Sequence, residues 1–364
     1  MHFDEFKLER WLSTHSGKYN FAGVNPPPLK LSELVEKIDT EMLLTYSSTN
    51  GSQELRQEIC GLYTNRSPNQ VIVTTGTAEA NYLITNALID PGDELILITP
   101  TYLQVLGVTK AIGGIVKISP LIEDECFKPN LEEINELCSS KTKAIFVTNP
   151  NNPTGGTISE HEIRAICEIA EDHDAYVIFD EVIRGLELDG NVSVSPTDIY
   201  EKGISTASIS KLGLLGLRIG WATADETLVK RCWSIKDYTT LSHSGLSEYL
   251  ATIALQEKNL KWMRERARGI FKRNLPIFRD WVRSCGSELS CVIPTAGGSA
   301  FPKYSLEVDS HAFCERVLKE SGILLSPGDY FGSAKHFRFR YGGHDVQTLT
   351  TVMQQLTPYI HGLK

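Results

Sequence analysis

Short apolar segments alternate with helical segments along the first two thirds of the chain, and this alternation limits the fold more than any other feature. Six segments between Val71 and Ala207 are apolar along their length, and some are separated by stretches of helical periodicity such as 131–138 and 159–173. Strands that are apolar on both faces and linked by helices form a mostly parallel sheet covered on both sides. The sequence therefore predicts an α/β domain. The predicted strands are 71–74, 94–98, 115–118, 144–148, 176–179 and 204–207.

Polar residues follow several of these predicted strands. In open parallel sheets the ligand lies outside the carboxyl ends of the strands, where the polar residues of neighbouring strands meet. We therefore expect these residues to share one cleft. They are Gly76 and Thr77, Tyr102, the stretch 149–155, Asp180, and the stretch 208–211.

The loop from Ser208 to Gly220 crowds two serines, one lysine and one arginine among glycines and leucines. A desolvated lysine has a lowered pKa, which makes its amine a nucleophile towards aldehydes. The hydroxyls of Ser208 and Ser210 and the guanidinium of Arg218 are natural donors to a phosphate. An amine for an aldehyde beside donors for a phosphate is typical of a pyridoxal phosphate site. A solvated surface loop with one lysine fits this stretch equally well.

Three other segments are consistent with such a site. The turn Gly76-Thr77-Ala78 joins a strand to a helix N-terminus, which favours anions, although many such turns bind nothing. Asp180 ends an apolar strand and needs a cationic partner there, such as a protonated pyridine nitrogen, but it could also cap a helix. The ring of Tyr102 could stack on a heteroaromatic cofactor or belong to the core.

Two further candidates concern the substrate. Asn152 lies in a Pro/Asn turn, and its amide could bind a ring hydroxyl or a carboxylate, although turn formation alone explains it. Arg338 and Arg340 alternate with phenylalanines, so they share one face of a strand. One of them could bind an α-carboxylate through two hydrogen bonds, and a surface salt bridge is the default for the other.

The ends of the chain favour a second, smaller unit. Three prolines at 26–28 predict an extended N-terminal arm, and long helical stretches replace the alternation after about residue 240. We expect a large domain over 46–245, and a small α+β domain made of 1–45, including the arm, with 246–364.

Composition restricts the class of protein. A hydrophobic content of 41% fills a core, and a net charge of -9 argues against a nucleic-acid or membrane partner. The eight cysteines show no metal-ligand spacing, so no metal site is predicted. The N-terminus lacks the apolar segment of a secretion signal, which predicts a cytoplasmic protein.

The motifs, taken in order, resemble the fold-type I, aspartate-aminotransferase-like pyridoxal phosphate enzymes of class I and II. That resemblance covers nearly the whole chain. It depends on Tyr46, Gly51, Leu55-Arg56, Gly76-Thr77, 91–93, 100–102, 149–155, Asp180-Glu181, 208–211 and 216–220.

The resemblance implies a seven-stranded sheet, pyridoxal 5'-phosphate as cofactor and a homodimer with shared active sites. Lys211 would bind the cofactor aldehyde and move protons, Asp180 would pair with the ring nitrogen, and Tyr102 would stack on the ring. Asn152 would reach the ring hydroxyl or the substrate. The substrate, an α-amino acid, would contact Gly23, Asn152 and Arg338. The phosphate would be bound by Gly76, Thr77, Ala78, Ser208, Ser210, Arg218 and, from the second subunit, Tyr46.

Two positions depart from the aminotransferase pattern. Ile183 stands where the family usually has a tyrosine, three residues after the aspartate, and the arm at 22–27 lacks the usual Gly-Glu-Pro segment. The arm, 237–242 and 297–302 are instead similar to capreomycidine synthase-like cyclases, which act on hydroxylated arginine. We therefore expect an eliminating and cyclising enzyme with acidic side chains that face the guanidinium group. These would come from the N-terminal arm or from the segment 181–187, where Glu181 and Glu187 fit solvated positions equally well.

Other functions stay open. An amino-acid aminotransferase and a pyridoxal-phosphate-dependent arginine oxidase would share most of these residues. A non-catalytic regulator of the same fold would normally carry an added DNA-binding domain. A nicotinamide enzyme is disfavoured because no GxGxxG motif follows the first strand.

Overall fold

The computed structural model describes residues 2–363, which form a central sheet, flanking helices and several short strand pairs. The α-helices of that range are α1 Lys7–Thr14, α2 Leu31–Leu34, α3 Gln53–Cys60, α4 Thr77–Leu88, α5 Gln104–Ile112, α6 Leu131–Leu137, α7 Glu160–Asp172, α8 Pro196–Ile199, α9 Glu226–Lys236, α10 Gly245–Leu255, α11 Glu257–Ser284, α12 Ser310–Ser321 and α13 Val346–Ile360. The strands are β1 Tyr19–Asn20, β2 Val71–Thr74, β3 Glu94–Thr99, β4 Ile115–Pro120, β5 Thr142–Thr148, β6 Tyr176–Asp180, β7 Gly203–Ser208, β8 Gly220–Thr223, β9 Leu289–Ser290, β10 Lys303–Tyr304, β11 Ile323–Leu324, β12 Ser326–Pro327 and β13 Phe337–Arg338.

The central sheet has seven strands in the order β2-β8-β7-β6-β5-β3-β4. Strand β8 runs antiparallel to β2 and β7, and the other neighbouring pairs are parallel. The predicted α/β class with a mostly parallel seven-stranded sheet is therefore confirmed.

Helices cover both faces of this sheet because successive side chains of each strand point to opposite sides. Leu95 and Leu97 of β3 pack in a cluster with residues of α4, α5 and α9, whereas Ile96 and Ile98 pack in another with residues of α6 and α7. Alternate residues of one strand are thus buried under different helices. This explains the continuous apolar runs in the sequence.

The N-terminal segment is joined to the last third of the chain. Strand β1 pairs in parallel with β11, and the main-chain N–H of Arg340 donates to Phe21 O at 2.8 Å. These contacts hold the arm beside β13. The domain boundaries at 45/46 and 245/246 stay a prediction.

Some local predictions were wrong in extent. The apolar spacing of 3–12 and 31–38 predicts a helix over each range, but α1 begins only at Lys7 and α2 ends at Leu34. The apolar segment 292–294 is a candidate strand by its sequence but forms none, and β9 lies before it at Leu289–Ser290. No helix between residues 2 and 363 is both long and apolar enough to cross a lipid bilayer.

Candidate active site

A cavity of about 590 Å³ lies at the carboxyl ends of the parallel strands and collects most of the predicted site residues. The arm and α1 line it from the other side, through residues such as Gly23 and Phe6. Its predicted members are Gly23, Thr77, Ala78, Tyr102, Asn152, Asp180, Ser208, Ser210, Lys211, Arg218 and Arg338. Gly76 borders the cavity at the turn before α4, whereas Tyr46 lies outside it with 80% of its surface exposed.

Asp180 lies at the end of β6 and is almost completely buried. Asn81 Nδ2 donates to its Oδ2 at 3.1 Å, and Val182 N donates to its Oδ1 at 3.2 Å. Thr206 Oγ1 in turn donates to Asn81 Oδ1 at 2.7 Å, which fixes the orientation of that amide. Burial raises the pKa of Asp180, and these hydrogen bonds and Lys211 oppose the shift. Asn81 is a site residue that the sequence prediction missed.

Lys211 lies in the short 3₁₀ turn after β7, and its Nζ makes no hydrogen bond to another described residue. Burial lowers its pKa to about 8, with a further contribution from the Arg338 guanidinium. Asp180 and Glu9 act in the opposite direction. The amine is therefore far more nucleophilic at neutral pH than that of a solvated lysine.

The turn at Gly76 forms the end of the cavity suited to a phosphate. Gly76 has φ +79°, and a Cβ there would lie 2.5 Å from Arg218 Nη2, so the backbone and the guanidinium meet closely. Thr77 begins the twelve-residue helix α4, and its Oγ1 is buried without a hydrogen-bond partner. Ser208 and Ser210 complete this end. An unpaired hydroxyl, a helix N-terminus and an arginine around one cradle fit the phosphate of pyridoxal phosphate.

Arg338 is buried at another part of the cavity. Its Nε donates to Ala22 O at 2.9 Å, its Nη1 donates to Asn152 Oδ1 at 2.9 Å, and its guanidinium lies 4.7 Å from the centre of the Phe331 ring. Burial lowers its pKa to about 10, so it stays protonated at neutral pH. Among residues 2–363 no carboxylate forms an ion pair with it. A buried cation without an anion fits a carboxylate-bearing ligand.

Tyr102 connects the cavity to the N-terminal helix α1. Its Oη donates to Glu9 Oε1 at 2.8 Å, and its ring meets that of Phe6 edge to face with centroids 4.9 Å apart. Burial raises the pKa of Tyr102, and Glu9 raises it further. Glu9 and Asp180 are the two carboxylates among the described residues that line the cavity. Nothing in the sequence around Glu9 singles it out, since α1 reaches the cavity only through the tertiary fold.

Three other predictions fail. Glu181 and Glu187 were candidates for the cavity, but both are buried elsewhere: Ser205 Oγ donates to Glu181 Oε2 at 2.6 Å, and Ser193 N donates to Glu187 Oε1 at 2.9 Å. Arg340 forms no surface salt bridge within the described range. Its Nη2 instead donates to Asn20 O at 2.8 Å and anchors the arm.

Ile183, the departure from the aminotransferase pattern, is buried in the core rather than in the cavity. Its Cγ2 would lie 3.1 Å from a Cβ at Gly297, so Ile183 packs on the cyclase-like segment 297–302. Val182 lines the cavity instead. Position 183 therefore supplies no hydrogen-bond donor there.

Comparison with known proteins places this geometry in a family. Residues 10–356 match the family described as aminotransferase class I and II. Capreomycidine synthase of Streptomyces vinaceus is 29% identical over 293 residues, 80% of this chain and 75% of that protein. Aspartate aminotransferase of Thermotoga maritima is 27% identical over 328 residues, 87% of this chain and 83% of that protein.

Solved structures agree with this assignment. A pyridoxal-phosphate-dependent aminotransferase from Streptococcus suis is 30% identical, with a TM-score of 0.92 over 100% of this chain and 99% of that chain. The cavity, Lys211 and the anion-binding turn at Gly76 lie on this common fold. The chain therefore belongs to the class I and II aminotransferase family of pyridoxal-phosphate-dependent enzymes.

Proposed function

We propose that the enzyme converts a hydroxylated arginine into a cyclic guanidino amino acid of the capreomycidine or enduracididine type, by elimination and cyclisation. The observation that carries the proposal is the charge distribution of the cavity. It combines the unpaired cation Arg338 with Glu9, a carboxylate whose Oε2 is not engaged by Tyr102. An amino acid with a carboxylate at one end and a guanidinium at the other matches both charges.

The residues have distinct roles in this proposal. Gly76, Thr77, Ala78, Ser208, Ser210 and Arg218 would bind the cofactor phosphate. Asp180, oriented by Asn81, would hold the charge of the ring nitrogen, and Tyr102 would pack on the ring. Bound pyridoxal phosphate would supply an electron sink that makes the substrate Cα proton acidic and allows a side-chain substituent to leave.

Lys211 Nζ, kept partly deprotonated, would take the proton from the substrate Cα. Arg338 and Asn152 would hold the α-carboxylate beside Gly23. Glu9 would orient the guanidino group so that one of its nitrogens meets the side-chain carbon from which the hydroxyl departs. One C–O bond breaks, one C–N bond forms and one water is released, so the reaction needs no oxidant or amino acceptor.

Amino-acid transamination is the second candidate, because the Thermotoga maritima aspartate aminotransferase is nearly as similar in sequence as the capreomycidine synthase. To decide, holoenzyme is incubated with hydroxylated arginines, with and without 2-oxoglutarate, and the products are identified by mass spectrometry. A product one water lighter than the substrate, formed without 2-oxoglutarate, is expected. Recovery of only a 2-oxo acid and glutamate would reject cyclisation, and oxygen consumption would indicate an oxidase.

Gly76→Ala is expected to weaken pyridoxal phosphate binding by roughly tenfold or more, since the added methyl strains the backbone and displaces Arg218. Gly92→Ala is the matched control. Gly92 has φ +89°, but a Cβ there would meet nothing within 4 Å. Equilibrium dialysis measures both affinities. If both substitutions weaken pyridoxal phosphate binding equally, the cause is backbone strain and not the close contact between Gly76 and Arg218.

Cofactor capture should depend on pH through Lys211. Only its neutral amine attacks an aldehyde, and its pKa is lowered to about 8, so the reactive fraction rises as pH increases through about 8. Stopped-flow absorbance of apoenzyme mixed with pyridoxal phosphate, corrected for ionisation of the free cofactor, is expected to show this rise. A rate constant that changes only near the pKa of an ordinary lysine would contradict the lowered value.

We also propose a homodimer in which Tyr46 completes the phosphate site of the second subunit. Tyr46 lies beside two other highly exposed apolar residues, Leu43 and Leu44, 82% and 89% exposed. Mixing two inactive variants, Tyr46→Ala and Lys211→Ala, should restore activity, because one site of each mixed dimer regains both residues. Mixtures as inactive as their components would contradict shared sites.

A further inference from the structure

We propose that Asn25 and Gln104 select a guanidino side chain over an ammonium side chain in the active-site cavity. The inference depends on the proposed function, because it concerns the distal end of an arginine-derived substrate. It assigns a specificity role to two neutral residues: Gln104 lies outside the motifs of the family resemblance, and Asn25 was noted only as part of the arm at 22–27.

Both residues contribute unpaired acceptor atoms. Asn25 belongs to the arm and lines the cavity directly after Gly23 and Val24. Gln104 also lines the cavity and is the first residue of α5. Asn25 Oδ1 and Gln104 Oε1 are shielded from solvent and accept no hydrogen bond from the described residues. Buried amide oxygens without donors are uncommon in folded proteins, because each loses its hydrogen bonds to water. Two such atoms in residues that line one cavity indicate a ligand that brings donors.

The amide of Gln104 is oriented by a contact within the chain. Its Nε2 donates to Ala78 O at 2.7 Å, at the start of α4. This contact leaves Oε1 as the free end of the side chain. The acceptor is therefore held in place before any substrate binds, which reduces the entropy lost on binding.

The number of acceptors matches a guanidino group better than an ammonium group. A guanidinium is a planar fork with several N–H donors, whereas an ammonium is a compact cation that stays strongly hydrated. Glu9 attracts both cations, so the carboxylate alone does not separate them. Additional neutral acceptors satisfy the extra donors of the guanidinium and give the cavity its selectivity.

The arm sets the distance between the two ends of the substrate. Arg338 holds Ala22 O, and Asn25 is three residues further along the same arm. Three residues of extended chain span at most about 10 Å, a separation comparable with an extended arginine side chain. A substrate whose carboxylate lies on Arg338 can therefore reach Asn25 with its distal group.

The test measures binding of unreactive analogues to the holoenzyme by isothermal titration calorimetry. The ligands are the hydroxy acid analogues of arginine, ornithine and norleucine, which lack the α-amine and cannot react with the cofactor. Wild-type enzyme is expected to bind the arginine analogue about tenfold more tightly than the ornithine analogue. Asn25→Leu and Gln104→Met should each reduce that preference several-fold and leave binding of the norleucine analogue within about twofold.

Gln104→Glu is the complementary variant, because it loses the donor to Ala78 O and replaces a neutral acceptor with a carboxylate. A carboxylate attracts both cations, so this variant should also show a smaller preference for the arginine analogue over the ornithine analogue. Variants that weaken all three ligands equally, or that leave the preference unchanged, would overturn the inference while the proposed reaction stands. A wild-type enzyme without the preference would overturn the substrate class as well. If the wild-type enzyme prefers the arginine analogue but forms no cyclised product from hydroxylated arginines, only the proposed reaction is rejected.

Discussion

Replacing Lys211 with alanine is expected to lower turnover by about 10⁴-fold or more, the largest effect of any single substitution in this chain. Lys211 is the one lysine among the described residues that line the cavity, and its amine makes no hydrogen bond there. The substitution removes the amine that is proposed both to bind the cofactor aldehyde and to take the Cα proton. No neighbouring amine replaces it, since Arg218 and Arg338 are guanidinium groups.

Lys236 provides the control for this experiment. It is fully buried as well, but its Nζ donates to Thr49 O at 2.8 Å and to Leu241 O at 2.9 Å, outside the cavity. Holoenzyme is reduced with borohydride and digested, and the peptide that carries the cofactor mass is identified. The mass should be on the peptide containing Lys211 and should persist in Lys236→Met. Lys211→Ala enzyme with wild-type turnover, or cofactor mass on Lys236, would refute the assignment.

Replacing Arg338 with methionine should lower kcat/KM by about 10³-fold while the cofactor stays bound. A buried charge that loses its ionic partner costs about 3–5 kcal/mol, and a substrate carboxylate facing methionine is in that position. Arg338 also holds Ala22 O and Asn152 Oδ1, so its loss could act by releasing the arm.

Arg340→Met separates the two explanations. Arg340 anchors the same arm through Asn20 O but does not line the cavity. Steady-state kinetics and cofactor absorbance are measured for both variants. The Arg340 variant should keep most of its kcat/KM. Equal losses in the two variants would mean that Arg338 acts by anchoring the arm and not by binding the substrate carboxylate.

Much of the large sheet could be predicted from sequence because its strands are apolar on both faces. All six predicted strands form, within two residues of the expected bounds. The seventh, β8, was missed because Gly220–Thr223 directly follows the glycine-rich loop and has little length of its own. Its antiparallel pairing with β2 and β7 brings Gly220 against Gly76. A Cβ added to Gly220 would lie 2.5 Å from the Gly76 carbonyl carbon.

The core of the site followed from one rule, that parallel strands end at the same edge. This rule brought together Thr77, Asp180 and Lys211 without any knowledge of tertiary contacts. Glu181 was expected in the cavity for a different reason, as a partner of the guanidinium group, and it lies elsewhere because adjacent residues at a strand end point to opposite sides. Glu9, Asn25 and Asn81 were beyond sequence reasoning, since their places depend on how α1, the arm and α4 fold over the sheet.

Two of the three segments that favoured cyclisation, 237–242 and 297–302, do not line the cavity, whereas the arm does. Gly297 packs on Ile183, and the hydroxyls of Thr239 and Thr240 donate to Glu79 Oε1 at 2.9 and 2.6 Å beside the Gly76 turn. Any influence of these segments on the reaction is therefore indirect, through the residues they support. The proposed choice of substrate therefore rests on Glu9 and the arm, which line the cavity.

A crystal structure of the holoenzyme with the hydroxy acid analogue of arginine tests the central claim most directly. We expect the carboxylate of the analogue to bind Arg338 and Asn152, and its guanidinium to lie within hydrogen-bond distance of Glu9. A guanidinium that points into solvent, away from Glu9, would contradict the assignment of an arginine-derived substrate.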